Sequence, residues 1–164
     1  MDTLAAIYCR ISDDRVGAGL GVKRQETDCR SLCGRLSWPV GRVYVDNDLS
    51  AYSGRPRGDY RALMADLWTG PQNAVAAWHT DRLHRSPLEL EEFIDLCDRR
   101  HILVETYLAG PLDLTTPAGR AVARTLGAWA RYESEHKAER SRRKALELAE
   151  TGQVSGGGYR PFRL

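Results

Sequence analysis

Two short stretches of the sequence place arginines beside a hydroxyl or a carboxylate. In YCRISDD, Arg10 ends an apolar run and Ser12 follows it. In TDRLHR, which also follows an apolar run, Asp81, Arg82 and Arg85 lie close together in sequence. Guanidinium groups at one place repel one another unless an anion lies between them, and arginine binds phosphate oxygens in a bidentate fork. The pattern therefore favours a phosphate-binding site.

The hydroxyl of Ser12 is a candidate nucleophile, but an alcohol is unreactive at neutral pH unless it is activated. No histidine falls in its stretch, and His79 and His84 beside the second stretch are the nearest candidates for a general base. Arginines offer another route, because cations stabilise both an alkoxide and the charge that builds on a phosphorus under attack. Both routes stay open from the residues alone.

Acidic residues leave a metal-dependent reaction open as an alternative. Asp13 and Asp14 follow the first apolar run, and Asp46-Asn47-Asp48 follows the next one, so carboxylates for Mg²⁺ are available. The neighbouring arginines would repel a divalent cation, and we therefore expect no metal ligand and no cofactor. The four cysteines lack CxxC spacing, which predicts reduced, buried thiols.

Alternating strands and helices must position these residues. Apolar runs predict strands at 4–10, 41–48, 73–79 and 101–107. Helical periodicity predicts helices at 20–37, 59–69 and 87–100. This order predicts an α/β fold with a mostly parallel sheet of four to five strands flanked by helices. Ligand sites of such sheets form at the carboxyl ends of the strands, where both arginine-rich stretches would meet.

The sequence also predicts a loop and a helix start near these residues. SAYSGRPRG, after the second strand, predicts a loop that brings Arg55 or Arg57 to the same edge of the sheet. Ser86 and Glu89 have the spacing of a capping box, and Pro87 suits the first position of the helix that follows.

The last third of the chain predicts one long helix. Thr116 and Pro117 open a segment that reads as helical over 118–150. At ~1.5 Å per residue it would be about 50 Å long, which is too long to pack wholly on one small domain. Its first half carries an apolar stripe of Val122, Leu126, Trp129 and Tyr132. We expect this oligomerisation helix to contact another subunit, and a solvent-exposed helix is the alternative.

Charge is unevenly distributed. The net charge is +2, but from Thr116 onward ten Lys and Arg face five Asp and Glu, whereas the preceding residues carry 14 against 17. A basic end on an acidic body is typical of nucleic-acid binding, with a solvated charged helix as the alternative. The residues that we expect to contact nucleic acid are Arg140, Arg142, Arg143 and Lys144.

Composition narrows the class of protein. A hydrophobic content of 42% and a charged content of 28% are ordinary for a soluble globular domain. No apolar stretch approaches the ~20 residues of a membrane helix, and the start lacks the basic region of a secretory signal. We therefore expect a cytoplasmic protein without a membrane partner.

Five stretches, in chain order, resemble the catalytic domain of serine recombinases, and most closely that of the large serine integrases of phages and mobile elements. They are YCRISDD, KRQETDCR, SAYSGRPRGDYRALMADL, WHTDRLHRSPLELEEFIDLC and TTPAGRAVARTLGAWARYESEHKAERSRR. The resemblance implies a catalytic core over 1–115, a long helix near DNA over 116–150, and a linker over 151–164 that leads to absent DNA-binding domains.

The resemblance also implies a reaction. In this family a serine attacks a DNA phosphodiester, which leaves a 5′-phosphoserine link and a free 3′-hydroxyl without metal or nucleotide cofactor. Subunits bind double-stranded DNA attachment sites as homodimers and form a tetramer in synapsis, where strands are exchanged and rejoined. The implied setting is the cytoplasm of a bacterial cell or phage-infected host.

Position by position, Ser12 matches the nucleophile of the family. The other residues that match its catalytic positions are Arg10, Gln25, Arg57, Asp81, Arg82, Arg85 and Glu133. Arg55 lies close enough to Arg57 to leave the loop arginine open. Ser134 stands where resolvases usually have an arginine after the glutamate. Either a nearby basic residue such as Arg131 or Lys137 takes that part, or the arginine is dispensable here.

Two other functions stay open from the sequence. The chain could be a non-catalytic fragment that oligomerises through the long helix and binds the DNA backbone without sequence preference. It could also be a metal-dependent nuclease, whose activity would be lost on chelation and whose products would carry no attached protein.

Overall fold

The computed structural model describes residues 2–12, 18–48, 57–150 and 152, with the side chains of 12, 18–20, 47 and 48 left out. The strands are β1 (Ala5–Ser12), β2 (Val40–Asp48), β3 (Ala74–Ala77), β4 (Leu103–Thr106) and β5 (Gly110–Pro111). The helices are α1 (Ala18–Arg35), α2 (Gly58–Thr69), α3 (Thr80–Leu83), α4 (Pro87–Arg100) and α5 (Pro117–Glu150).

The strands form one sheet in the order β2-β1-β3-β4-β5. β1 pairs in parallel with β2 and β3, β3 pairs in parallel with β4, and only the short β5 is antiparallel to its neighbour among the described strands. This confirms the predicted α/β fold with a mostly parallel sheet. β1 therefore lies inside the sheet, and its apolar run from Ala5 to Cys9 is fully buried, as a strand covered on both faces requires.

Side chains of β1 alternate between two apolar layers. Ala6 and Tyr8 pack on the side of α2 and α4, with Leu63 and Phe93. On the other face, Ile7 and Cys9 pack in the layer that contains Cys29 of α1. Because successive residues of a strand point to opposite faces, one short apolar run supports both layers. The cysteines are free and buried, as predicted.

The third strand ends earlier than the sequence predicts. β3 stops at Ala77, and the four-residue helix α3 begins at Thr80, whereas the apolar run predicts a strand through residue 79. His79 has extended backbone and its Nδ1 accepts a hydrogen bond of 3.4 Å from the N–H of Asp81, which caps α3. The predicted strand was too long by two residues, and the short helix α3 was not predicted, because histidine is not a usual N-cap residue.

The start of α4 is built as predicted at two positions and differs at a third. Ser86 Oγ accepts a hydrogen bond of 3.2 Å from the N–H of Glu89, and Pro87 is the first helical residue. The carboxylate of Glu89, however, accepts the N–H of Arg85, at 2.6 Å. The carboxylate thus holds the turn that precedes the helix.

The chain divides into two compact units, Met1–Gly127 and Ala128–Leu164. The first turns of α5 belong to the first unit, where Arg120 donates to Asp98 at 2.7 Å and Arg124 forms a bidentate pair with Glu91. Thr116 Oγ1 caps the helix, as the sequence indicates, and α5 matches the helix predicted over 118–150.

The apolar stripe of α5 is exposed in the single chain, at 43–61% for Val122, Leu126, Trp129 and Tyr132. Contact of this stripe with another subunit stays a prediction. The division into 1–115, 116–150 and 151–164 also stays one, because residues 151 and 153–164 lie outside the described residues. Among the described residues, none of the helices combines the length and apolar character needed to cross a bilayer.

Two glycines give a matched test of the fold. A Cβ at Gly119 would overlap the carbonyl oxygen of Asp113, whereas a Cβ at Gly34 in α1 would meet open space. We expect Gly119→Ala to lower the free energy of unfolding by roughly 1–3 kcal/mol through overpacking. Gly34→Ala should raise it by about 0.5–1 kcal/mol because alanine favours the helix. Chemical denaturation measures both, and equal effects of the two changes would contradict the described start of α5.

Candidate active site

The carboxyl end of β1 lies against the segment that follows β3. Arg10 Nη2 donates to the carbonyl oxygen of Asp81 at 2.7 Å, and Arg10 Nε donates to that of Arg82 at 3.4 Å. These contacts follow from the parallel pairing of β1 with β3, which puts the carboxyl ends of both strands at one edge of the sheet. The structure therefore brings the two arginine-rich stretches together.

Three other arginines act on Arg10 at this edge. Burial, and then the charge of Arg57, lower the pKa of Arg10, and Arg85 and Arg82 lower it further. Arg10 is only 8% exposed. The three neighbouring guanidinium groups therefore raise the electrostatic cost of the charged Arg10, and an anion beside Arg10 would lower that cost. We call Arg10, Arg57, Arg82 and Arg85 the arginine cluster.

Ser12 is the last residue of β1 and pairs with Asp48 of β2. It follows Arg10 by two residues at the same end of the strand, but its side chain lies outside the described part of the chain. Asp13, Asp14 and Arg55 also lie outside the described residues. The role of Ser12 as nucleophile stays a prediction.

Gln25 fixes the main chain of Arg10. Its Oε1 accepts the N–H of Arg10 at 3.2 Å, and its Nε2 donates to the carbonyl oxygen of Arg10 at 3.1 Å. Pairing of β1 with β3 ends at Tyr8 and Ala77, so the polar backbone groups of Arg10 need another partner. This accounts for a buried polar residue on the apolar stripe of α1.

Arg57 is the most enclosed member of the arginine cluster, with a side chain that is 3% exposed. Its Nε and Nη2 donate to the hydroxyl of Tyr8 at 3.1 and 2.6 Å, and its Nη1 donates to Glu89 at 2.7 Å. Nη2 also donates to the carbonyl oxygen of Leu83, and the guanidinium lies 4.0 Å from the centre of the Tyr60 ring. Every nitrogen of Arg57 thus contacts a protein acceptor, which joins β1, α2, α3 and α4.

Asp46 supports the same network from β2. Its Oδ2 accepts the hydroxyl of Tyr8 at 2.8 Å and the N–H of Tyr60 at 2.9 Å, and its Oδ1 accepts the N–H of Asp59 at 3.2 Å. Burial raises the pKa of Tyr8, so its phenol keeps the proton that it donates. Asp46 therefore caps α2 from a neighbouring strand. Among the described residues, no group of three or more His, Cys, Asp and Glu side chains is placed to hold a metal.

Asp81 and Arg82 present polar atoms that the described residues leave without a hydrogen bond. Asp81 Oδ1 and Arg82 Nε are both buried and lack such a partner there, and they lie 3.5 Å apart. His79 Nδ1 lies 3.0 Å from the same Asp81 oxygen. Asp81 and Arg82 thus form an ion pair with each other, but the described residues give neither of these two atoms a hydrogen bond.

The two histidines near this edge differ. Burial lowers the pKa of His84, which favours the neutral imidazole that a general base requires. His79 instead uses its Nδ1 to cap α3.

Arg85 lines a pocket of about 380 Å³ beside the arginine cluster. The other residues that line it are Arg57, Tyr60, Arg61, Met64, Glu89 and Glu92.

The remaining predicted site residues lie on α5 in the second unit. Glu133 is exposed there. The basic residues Arg140, Arg142, Arg143 and Lys144 are exposed as well. Their functions stay predictions.

Sequence reasoning missed Tyr8 and Glu89 as members of the site. Tyr8 reads as one more residue of a buried strand, and its hydroxyl was the one available signal. Glu89 reads as part of a helix cap, and nothing in its local sequence indicates a bond to Arg57, 32 residues earlier.

One known protein family matches most of the chain. The sequence model of the family described as Resolvase, N terminal domain, matches residues 5–154. No curated protein matches the chain closely enough to count as a relative.

Solved structures share the fold. The N-terminal catalytic domain of TP901-1 integrase is similar at 23% identity and a TM-score of 0.58, over 81% of this chain and 98% of that one. A resolvase family site-specific recombinase from Streptococcus pneumoniae is similar at 15% identity and a TM-score of 0.64, over 91% and 99%. The C-terminal catalytic domain of ISC1926 TnpA, an IS607-like serine recombinase, is similar at 19% identity and 0.53, over 63% and 68%.

The hydroxyl of Tyr8 can be removed without changing the shape of the core. Tyr8→Phe would take away the acceptor of two Arg57 bonds and leave that cation short of partners, which we expect to cost about 2–3 kcal/mol of unfolding free energy. Tyr44→Phe is the control, because the equally buried Tyr44 donates one bond of 2.6 Å to Asp66 outside the arginine cluster. That change should cost about 1 kcal/mol. Denaturant titration measures the unfolding free energy of both variants. Equal losses for Tyr8→Phe and Tyr44→Phe would contradict the stabilisation of Arg57 by the Tyr8 hydroxyl.

Proposed function

Because the chain belongs to the resolvase family of serine recombinases, which act on DNA and oligomerise, we propose that it is the catalytic domain of a site-specific DNA recombinase of the integrase type. The observation that carries the proposal is the arginine cluster at the end of β1. Arg10 contacts the main chain of Asp81 and Arg82, and its pKa is lowered by burial and by the other three arginines. Such a site favours a phosphodiester.

The proposed reaction begins with attack of the Ser12 oxygen on the phosphorus of a DNA phosphodiester. The bond from phosphorus to the 3′-oxygen breaks, the serine proton is lost, and the 3′-oxygen takes up a proton. The products are a 5′-phosphoserine ester and a free 3′-hydroxyl. The ester conserves the energy of the broken bond, so the reverse attack by a 3′-hydroxyl rejoins the strand without a nucleotide cofactor.

Roles for the cluster follow from its contacts. We assign Arg10, Arg82 and Arg85 to the scissile phosphate, where fixed cations stabilise the charge that develops on phosphorus. The buried Nε of Arg82 has no hydrogen-bond partner among the described residues, which supports this assignment. Asp81 would orient Arg82 or pass a proton to the departing 3′-oxygen.

Gln25 and Arg57 would contribute to the same reaction by holding other groups of the site in place. Gln25 fixes the backbone of Arg10. The guanidinium of Arg57 is held by Tyr8 and Glu89, so its contribution is to the field and shape of the site.

The long helix α5 supplies the assembly in this proposal. Its exposed stripe would pack against a second subunit in the dimer that binds an attachment site, and two dimers would form the tetramer in synapsis. Glu133 is included among the catalytic residues because it matches a catalytic position of the family. The exposed residues of α5 assigned to the DNA backbone are Arg140, Arg142, Arg143 and Lys144.

A covalent adduct tests the nucleophile. The protein is incubated with a library of nicked duplexes in EDTA, and protein-linked DNA is recovered and quantified. We expect an adduct from the wild-type chain and none from Ser12→Ala, because only the hydroxyl can form the ester.

The competing functions give other results in the same assay. Cleavage that stops in EDTA and leaves no attached protein would indicate a metal-dependent nuclease. Binding without any adduct from the wild-type chain would indicate a non-catalytic module. An adduct that survives Ser12→Ala would place the nucleophile elsewhere.

Substituting two basic residues in turn distinguishes a role in the cleavage step from a role in binding the DNA backbone. Arg82→Ala should slow adduct formation by roughly 100- to 1,000-fold, the effect of losing one donor to a developing oxyanion. Lys144→Ala should leave the rate at saturating DNA within about 3-fold, and should lower the slope of affinity against salt by about 1. Adduct kinetics and binding over a salt series measure both. Comparable rates for the two variants would refute the assigned phosphate contacts.

A further inference from the structure

One carboxylate contacts two members of the arginine cluster. Oε2 of Glu89 accepts Nη1 of Arg57 at 2.7 Å and the backbone N–H of Arg85 at 2.6 Å. The side chain of Arg57 is 3% exposed and that of Glu89 is 26% exposed, so the pair is largely withdrawn from water. Hydrogen bonds between ionised groups are short and strong under these conditions.

The bond to Arg85 fixes the turn between α3 and α4. The backbone of Glu89 is itself held, because its N–H donates to Ser86 Oγ at 3.2 Å. Glu89 therefore closes a small ring that runs through Ser86 and back to Arg85. The Cα of Arg85, from which its guanidinium extends, is positioned by this ring.

The bond to Arg57 links Glu89 to β1, a strand inside the sheet. Arg57 also donates to the hydroxyl of Tyr8 on β1, at 2.6 Å, and to the carbonyl oxygen of Leu83 at the end of α3, at 3.2 Å. The carboxylate of Asp46 also lies near this guanidinium, but its oxygen is 3.8 Å from Arg57 Nε, beyond hydrogen-bond distance. Among the described carboxylates, Glu89 is thus the one that hydrogen-bonds to the buried cation.

We propose that Glu89 is a positioning residue for the strand-cleavage step, and this inference rests on the function proposed above. It holds the guanidinium of Arg57 and the main chain of Arg85 in the arrangement that receives the phosphate. Its negative charge also opposes the entry of an anion, so it contributes to the alignment of the bound phosphate and not to affinity. The two effects are separable by experiment.

Glu89→Gln keeps the size of the side chain and an oxygen for the N–H of Arg85, but removes the charge that holds Arg57. We expect adduct formation at saturating DNA to fall about 10- to 100-fold, as for misplaced groups in other active sites. The dissociation constant for DNA should stay unchanged or decrease by a few-fold. Glu92→Gln is the matched control, because Glu92 is an exposed residue of α4 that lines the same pocket, and both quantities should stay within about 2-fold of wild type.

Three measurements on the full chain decide the matter: the adduct rate at saturating DNA, the dissociation constant, and the midpoint of thermal unfolding. A Glu89→Gln rate equal to wild type overturns the inference while the proposed function stands. In another outcome, Glu89→Gln loses adduct rate and DNA affinity together, and regains both at a temperature where it is folded. That result indicates that Glu89 has a structural role only, and it also overturns the inference. No adduct from wild type overturns the proposed function and, with it, the inference.

Glu89→Asp covers the case in which the glutamine variant does not fold. It keeps the charge but shortens the reach by one methylene. We expect a several-fold slower adduct rate with unchanged affinity, and a wild-type rate would overturn the inference.

Discussion

The structure depends on the cost of holding several guanidinium groups at one edge of a parallel sheet. Like charges in a partly desolvated place repel strongly, and a buried cation without acceptors would destabilise the fold by several kcal/mol. The chain meets this cost with specific acceptors. Arg57 donates to Tyr8, Glu89 and a backbone carbonyl, and Arg10 donates to two backbone carbonyls. These acceptors come from elements that are distant in sequence, so the cluster holds strands and helices together as well as forming the candidate site.

The sheet creates the space in which this happens by ending two neighbouring strands at different points. β1 continues to Ser12, whereas β3 ends at Ala77 and turns into α3. The overhang leaves the backbone of Arg10 without a strand partner on that side, and the amide of Gln25 takes the place of the missing ladder. An abrupt strand end is therefore stable, and it leaves room for side chains beside the last residues of β1.

The sequence predicts those parts of the fold that rest on local chemistry. Short apolar runs predict the strands close to where they lie, and the cap residue Ser86 with Pro87 predicts the start of α4. Contacts between distant residues leave no such signal. Glu89 reads as a capping residue, but its oxygen binds Arg57 from 32 residues away. The short helix α3, which follows β3, begins at a cap formed by an imidazole nitrogen, a role that helix propensities do not include.

The members of the arginine cluster differ in how many of their polar atoms have hydrogen-bond partners, and this difference affects how a phosphate would bind. Arg57 is enclosed and each of its nitrogens contacts a protein acceptor, whereas Arg82 Nε and Asp81 Oδ1 are buried without a hydrogen bond among the described residues. An arriving anion would therefore not need to displace acceptors from the enclosed part of the cluster. It would relieve repulsion between cations whose positions are already fixed, and little reorganisation would be needed as charge develops on phosphorus. The enclosed Arg57, which shapes the field, and the arginines assigned to the phosphate together give a physical basis for cleavage at a site built from guanidinium groups.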